Sequence, residues 1–425
     1  MAAADRSSSR LSQRLKQNRL FRFALSVLTV AALVALLAPL LANHKPLYVQ
    51  YHGHHLFPAL SWQKVYRLEH EGRHEVLIVQ TTDWKQLKAS RILWPPVPYG
   101  PVQSDFRSAG YRPPLYCPEV QTGASSFFFC HWLGTGKRGN DVLAGIIYGM
   151  RTSLLVGIGS VALALLLGVL IGAVSGFFGD RQLRISIGRL LVWIIAWVLA
   201  WFYVFQADVL RLLWPDGTGV WLRLIGLLVV AALLLFLLHP LTLLPVLKQR
   251  VRLPADTLLS RFTEIVLALP LLYLLVMLAA VSKPSLWNVI WIIGLTGWTG
   301  IARLVRAEVM RVRELDFIRA ARLLGLSPWR ILWRHVLPNA WSPVLVSAAF
   351  GIGNVILAES ALSFLGIGMP AEVPSWGALI SSGRENMQAW WLIVFPGLCI
   401  VAVVLCFNLV GEALRDAMDP RHAAR

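Results

Sequence analysis

The 27 residues from Thr152 to Phe178 contain no charged side chain, and this run limits what the chain can fold into. About 20 apolar residues suffice for a helix to cross the roughly 30 Å hydrocarbon of a bilayer. A helix apolar on every side is buried in a large core or in lipid. Further apolar runs follow the same plan: Phe23 to Ala42, Leu190 to Phe205, Val220 to Leu247, Leu258 to Val281, Leu286 to Leu304, Trp341 to Leu362 and Trp390 to Val410. Only 15% of the 425 residues are charged and 56% are hydrophobic, whereas a soluble domain carries about 25% charge. The net charge of +18 is read as membrane orientation, because the arginines sit at the ends of apolar runs and not on a basic patch suited to nucleic acid.

The expectation is an all-α polytopic membrane protein with eight spans and both termini cytoplasmic. Arg6, Arg10, Arg14, Lys16, Arg19 and Arg22 precede the first run. A signal peptide shares that basic start, but its apolar core is about 7 to 15 residues, so a retained helix is favoured. The expected divisions are a basic N-terminus (1–22), the first span (23–43), an extracytoplasmic insert (44–131), a pre-span segment with the second span (132–180), an inserted helical pair (181–253), a core (254–421) and a tail (422–425). Leu190 to Phe205 is short for a span, which leaves a re-entrant or interfacial helix as its alternative. Pro270 is expected to kink its span.

Within the insert, Val65 to His70 and Glu75 to Gln80 alternate around Glu71 and Gly72, which predicts a hairpin. His52, His54 and His55 form a cluster without carboxylate or cysteine company, so solvated histidines are favoured over a metal site. The four cysteines have no metal-site spacing. Cys399 and Cys406 lie in an apolar run and are read as packing residues, whereas Cys117 and Cys130 are placed to form a disulfide if their segment faces an oxidising compartment.

Between two apolar runs lies DFIRAARLLGLSPWRILWRHVLPN, Asp316 to Asn339. Asp316 is expected to cap a helix over Phe317 to Leu324, with Gly325 as its left-handed stop. Ser327 then caps a second helix, Pro328 takes its first position, and Pro338 marks the return into the bilayer. Ala320 and Ala321 keep one face slim enough to enter a partner's groove, while Leu323, Leu324, Leu326 and Ile331 offer apolar contact. The competing account is an amphipathic connector resting on anionic lipid, and local physics alone leaves the two evenly matched.

This spacing resembles the coupling-helix signature of ABC importer permeases, described as E-A-A, three residues, G, nine residues, I-x-L-P. Ala320 and Ala321 match the alanine pair, Gly325 the glycine, and Leu337 and Pro338 the close, while Arg319 stands where glutamate is common. Trp132 to Gly157 is similar to the segment before the second span in dipeptide and oligopeptide permeases, with Gly139, Asp141, Gly149, Arg151 and Ser153 matching; Gly136 and Asn140 depart from the pattern. Pro284 to Val309 and Ala358 to Ile380 are also close to that family, and the long insert is similar to that of peptide and microcin C importer permeases.

The resemblance implies a six-span core carrying an added helical pair, and a coupling surface made of Phe317, Ile318, Arg319, Ala320, Ala321, Gly325, Leu326, Ser327, Leu337 and Pro338. It also implies a second homologous permease, two cytoplasmic ATPase subunits, and a periplasmic peptide-binding protein. The chain has no P-loop pattern G-x4-G-K-[ST], so ATP and magnesium are expected to be used by the partners, with no cofactor bound here. Glu359 is costly in lipid and is read either as a gate or as a packing acid. Ser360 and Phe364 complete that candidate path. Nickel, glutathione or other small solutes remain alternatives within the family, and an intramembrane enzyme is a rival from another class.

Overall fold

The computed structural model describes residues 15–60, 65–70, 73–79, 82, 84, 87, 90–118, 129–180, 184–201, 220–238, 240, 250–252 and 254–418. Helix α1, Arg19–Leu36, is capped by Asn18, whose side chain accepts from the Phe21 amide at 3.2 Å. A break at Leu37 leads into the single-turn α2, Ala38–Leu41, with Pro39 in its first turn, where a missing N–H costs nothing.

The insert that follows is built on strands β1 (Tyr48–Tyr51), β2 (His54–Leu56), β3 (Val65–His70), β4 (Arg73–Ile78) and β5 (Arg91–Leu93). β1 is the centre of a three-stranded antiparallel sheet in the order β2-β1-β5. β3 and β4 form the hairpin, with Val65 opposite Ile78 and His70 opposite Arg73. Val49, Leu56, Val79 and Trp84 are the core of this insert.

Helix α3, Val142–Phe178, is 37 residues long, or about 55 Å at 1.5 Å per residue. It begins ten residues before the apolar run, because Asp141 caps it by accepting from the Ala144 amide at 2.7 Å. The inserted segment contains two further helices, α4 (Ile187–Trp201) and α5 (Val220–Leu238), which pack on each other. The turn expected around Pro215, Asp216 and Gly217 lies outside the described residues. Strands β6 (Arg184–Ser186) and β7 (Arg250–Arg252), which flank the pair, hydrogen-bond antiparallel with Arg184 opposite Arg252. The insertion therefore leaves and rejoins the body at one place.

The next expected span is two helices, α6 (Ala255–Ala268) and α7 (Leu271–Val281), set at 84°. Pro270 lies in the break with extended backbone: it cannot donate to the helix ladder, and Leu269 before it is also extended, as steric conflict with the proline ring favours. The expected kink is a break. Then come α8 (Leu286–Arg313), α9 (Asp316–Leu323), α10 (Pro328–Ile331), a π-helical turn over Leu332–Val336, α11 (Leu337–Phe364), α12 (Trp376–Arg384) and α13 (Trp391–Met418).

Among the described residues, five helices are long and apolar enough to cross a membrane: α1, α3, α8, the continuous stretch through α11, and α13. The bent pair counts as a sixth if it is one span. The apolar parts of the inserted pair, Leu191–Ala200 and Gly226–Leu238, are shorter.

The frame is the α3–α8 pair, held by close backbone approach. Gly168, Gly172 and Gly176 recur every four residues on one face of α3. A Cβ at Gly168 would meet the Trp298 carbonyl oxygen at 3.0 Å and one at Gly176 the Arg306 oxygen at 2.7 Å, and one at Gly172 would press on the Ala302 carbonyl. Dispersion between close backbones holds helices together in lipid, where the hydrophobic effect adds nothing between them. Around this seam Ala173, Phe177, Ala302, Val305, Val309, Ile318, Leu332, Val336 and Ala340 form the largest buried cluster.

Candidate coupling surface

The segment after α8 is shaped by its own turn chemistry. Residue Leu315, not Asp316, is the N-cap of α9, and it makes no side-chain cap bond. Asp316 is instead the first helical residue, where its charge suits the positive end of the helix dipole; it lies 3.6 Å from Arg319, which also reaches Glu314 at 4.0 Å. Gly325 has φ +76° and an open space where a Cβ would sit. Its amide donates to the Arg322 carbonyl at 3.0 Å, and the Leu326 amide donates to Ala321 at 3.3 Å. That pair of bonds is a Schellman stop, which needs the left-handed conformation glycine adopts without penalty. Ser327 caps α10 by accepting from the Arg330 amide at 3.4 Å, and Pro328 is its first residue.

The two short helices divide their faces between the chain and solvent. Ile318, Ala321, Ile331, Leu332 and Val336 are buried in the main cluster, with Leu326 and Leu337 packed against it. Ile318, Ala321 and Ile331 therefore do not belong to an outward contact surface, which corrects the expectation for all three. Trp329 packs on Phe178 with ring centroids 4.9 Å apart, and Arg322 lies 5.8 Å from the Phe177 ring, so the segment underlies the end of α3. What projects is the tip: Leu323 is 90% exposed, Leu324 81%, and Phe317 45%. Arg319, Ala320, Ser327 and Pro338 are exposed as well.

A polar clamp lies beside this segment, where the sequence shows only arginines at the end of an apolar run. Arg306 forms a two-pronged ion pair with Asp256, through its Nε to Oδ1 and its Nη2 to Oδ2, the second at 2.7 Å. Ser175 donates to the same carboxylate at 2.9 Å. Arg313 donates to the Gly176 carbonyl at 2.6 Å, occupying an orphan acceptor at the end of α3. Asp180 accepts from the Thr257 amide at 2.9 Å and its hydroxyl at 2.7 Å; these bonds hold its carboxyl below the usual aspartate range. The spacing of 50 residues between Arg306 and Asp256 left no local signal.

Glu359 is fully buried within this one chain. Ser363, Ser153 and Ser360 donate to its carboxylate at 2.8, 3.2 and 3.5 Å. It faces α3, and not the large groove of about 800 Å³ lined by Thr296, Ser347 and Asn354 among others. Ser360 is buried against Gly377, and Phe364 packs under Arg384, whose guanidinium carbon is 5.4 Å from the ring centroid. The geometry is that of a packing acid satisfied by hydroxyls.

At the other end of α3, a disulfide joins Cys117 to Cys130. It lies beside the bridge in which the His131 amide donates to the Tyr116 carbonyl at 2.7 Å and Leu115 donates back at 2.9 Å. His131 Nδ1 is 2.8 Å from Asp141, the acid that caps α3. Its Nε2 has no hydrogen-bond partner among the described residues. Tyr99 stacks on the imidazole at 4.1 Å and donates to the Phe129 carbonyl at 2.5 Å; burial pushes its phenol above the ordinary tyrosine range.

Spanning helices sewn by a glycine seam, with a short two-helix knuckle between two of them, define a polytopic helical membrane protein. The model of the family described as binding-protein-dependent transport system inner membrane component matches residues 242–423. That of the N-terminal transmembrane domain of oligopeptide transport permease C matches 9–58. The dipeptide transport system permease protein DppC of Alkalihalophilus pseudofirmus is 32% identical over 68% of this chain and 72% of its own. The peptidoglycan transport system permease protein YejE of Agrobacterium fabrum is 29% identical over 99% and 94%. The inner membrane ABC transporter permease protein YejE of Escherichia coli is 29% identical over 96% of each chain. The chain belongs to the binding-protein-dependent transport permease family.

Proposed function

We propose that this chain is the membrane permease subunit of an ATP-driven importer that carries peptides from periplasm to cytoplasm. Names of the relatives, dipeptide and peptidoglycan transport permeases, support peptide cargo. The arginines of α8 and the knuckle support a cytoplasmic position for Asp316 to Asn339, with both termini on that side and the disulfide-bearing insert in the periplasm. Two ATPase subunits use ATP and magnesium, a homologous permease completes the path, and a periplasmic binding protein delivers cargo; this chain itself binds no cofactor.

The observation that carries the coupling role is the division of faces in α9 and α10. One face is fused to the core while Leu323 and Leu324 stand in solvent at 90% and 81%. A partner gripping that tip moves α9 and α10 as a body, and α8 and α11, attached at either end, must follow. The glycine seam passes the displacement to α3.

The test is the full complex with Leu323→Ser and Leu324→Ser together. Because both side chains are exposed, folding and membrane level stay unchanged, while ATPase activity stimulated by the binding protein falls at least tenfold. Normal stimulation in that variant refutes the coupling role.

A further inference from the structure

The knuckle carries one sign of charge around its apolar tip. From Asp316 to Asn339 there are four arginines, Arg319, Arg322, Arg330 and Arg334, and one carboxylate, Asp316. All four arginines are exposed. Arg319 has the weak contacts to Asp316 and Glu314, at 3.6 and 4.0 Å; for the other three, no carboxylate partner is present among the described residues. Three exposed guanidinium groups share the segment with the leucine pair and make no ion pair among the described residues, Arg322 resting on the Phe177 ring.

We infer that the ATPase surface receiving this knuckle is an apolar cleft rimmed by carboxylates. The inference rests on the coupling role proposed above and adds the chemistry of its partner. Burying an unpaired guanidinium against a neutral or basic rim is costly, whereas a carboxylate rim supplies charge-assisted bonds as docking excludes water. Leu323 and Leu324 then fill the apolar floor.

An anionic membrane surface offers the same sign of charge, and the helix geometry disfavours it. Arg303, Arg306, Glu308, Arg311 and Arg313 occupy the last eleven positions of α8, roughly 16 Å of helix at 1.5 Å per residue. A charged helix of that length carries the knuckle past the edge of the hydrocarbon.

The experiment uses the whole complex in lipid nanodiscs, comparing wild type with Arg322→Gln/Arg330→Gln and Arg322→Glu/Arg330→Glu, in phosphatidylcholine alone or with phosphatidylglycerol. Retention of the ATPase subunits is measured as sodium chloride rises from 50 to 500 mM, beside the Leu323→Ser/Leu324→Ser variant. The result expected is about fivefold weaker retention for the glutamine pair and at least twentyfold for the glutamate pair, salt-sensitive in wild type and independent of lipid. Restoration by exchanging rim carboxylates of the ATPase for lysine supports the pairing directly. If both arginine variants hold the ATPase normally and only the leucine variant releases it, the knuckle docks and the acidic rim is refuted. A charge effect seen only with phosphatidylglycerol assigns the arginines to lipid and overturns the inference. If leucine and arginine variants all retain the ATPase, the coupling role itself falls.

Discussion

Replacing Gly176 with alanine tests whether the α3–α8 seam is the rigid element that carries motion from the knuckle. The new Cβ would meet the Arg306 carbonyl oxygen at 2.7 Å, the Arg306 Cα at 3.1 Å and the Val309 Cβ at 3.2 Å. A carbon–oxygen approach of about 3.3–3.6 Å is normal, so the nearest contact is short by about 0.6–0.9 Å. Two of the three neighbours are backbone atoms, which cannot turn aside as a side chain does, so the helices must separate. Overpacking of this kind costs about 1–3 kcal/mol, against at most about 1 kcal/mol gained from the better helix propensity of alanine. With the full propensity gain the net expectation is a loss of up to about 2 kcal/mol. Separation also pulls on Arg306, which is paired with Asp256, and on Arg313, whose guanidinium donates to the Gly176 carbonyl itself.

The assay is thermal unfolding of the purified protein with Gly300→Ala as reference, since nothing lies within 4 Å of a Cβ at Gly300 on the facing helix. Gly300→Ala should melt at or slightly above wild type, and Gly176→Ala below both, with reduced coupling of ATPase activity to transport. Equal melting of the two variants refutes the close-approach argument.

Four other outcomes follow from the same geometry. Gly325→Ala meets no neighbour, so its cost is the left-handed backbone alone, about 1–2 kcal/mol, and Gly325→Asn should recover part of the lost ATPase stimulation; equal stimulation by all three proteins contradicts the Schellman stop. Serine at both Cys117 and Cys130 opens a loop with a sequence separation of 13, which destabilises the insert by about 3 kcal/mol in the chain-entropy account; limited proteolysis of the variant should cut near residue 117 where wild type resists. Glu359→Gln keeps an acceptor for the serines and should transport within twofold of wild type with unchanged peptide preference, whereas Glu359→Leu strands hydroxyls and should lose stability; a changed preference in the glutamine variant would restore the gate reading.

The fourth concerns pH. Lys137 donates to Glu385 at 2.8 Å, which holds the Glu385 carboxyl below its ordinary range and the Lys137 amine above its own. The glutamate contribution is complete above about pH 4.3 and lost as pH falls through the lowered value, and the lysine contribution is complete below about pH 10.4 and lost as pH rises through the raised one. Stability from this pair is therefore flat between about pH 5 and 10, and salt weakens it because both groups are exposed. Melting curves of Glu385→Gln and wild type whose difference varies across pH 6–9 would count against the pairing.

The membrane class, the positions of α1, α3, α8, α11 and α13, and the knuckle's stop and cap at Gly325, Ser327 and Pro328 are legible in the residues themselves, whereas the cap expected at Asp316 falls on Leu315. Those properties are local. Unbroken apolarity requires lipid, and Gly325, Ser327 and Pro328 act on their own backbone within a few residues. The β3–β4 hairpin was legible for the same reason, through alternation around a turn. Which side of each element meets which neighbour is set by packing between segments. Ile318, Ala321 and Ile331 face inward and leave the tip to Leu323 and Leu324, because they share one buried cluster with Phe177 and Phe178 at the end of α3. Arg306 and Arg313, which in the sequence are only two among the arginines at the end of an apolar run, grip Asp256 and the Gly176 carbonyl across 50 and 137 residues of chain. Glu359 was marked as costly by composition alone, but whether that cost is met by serines or by a passage depends on α3 standing beside it. Composition and spacing describe what one segment needs, and the partner that satisfies the need is chosen by packing between segments far apart in sequence.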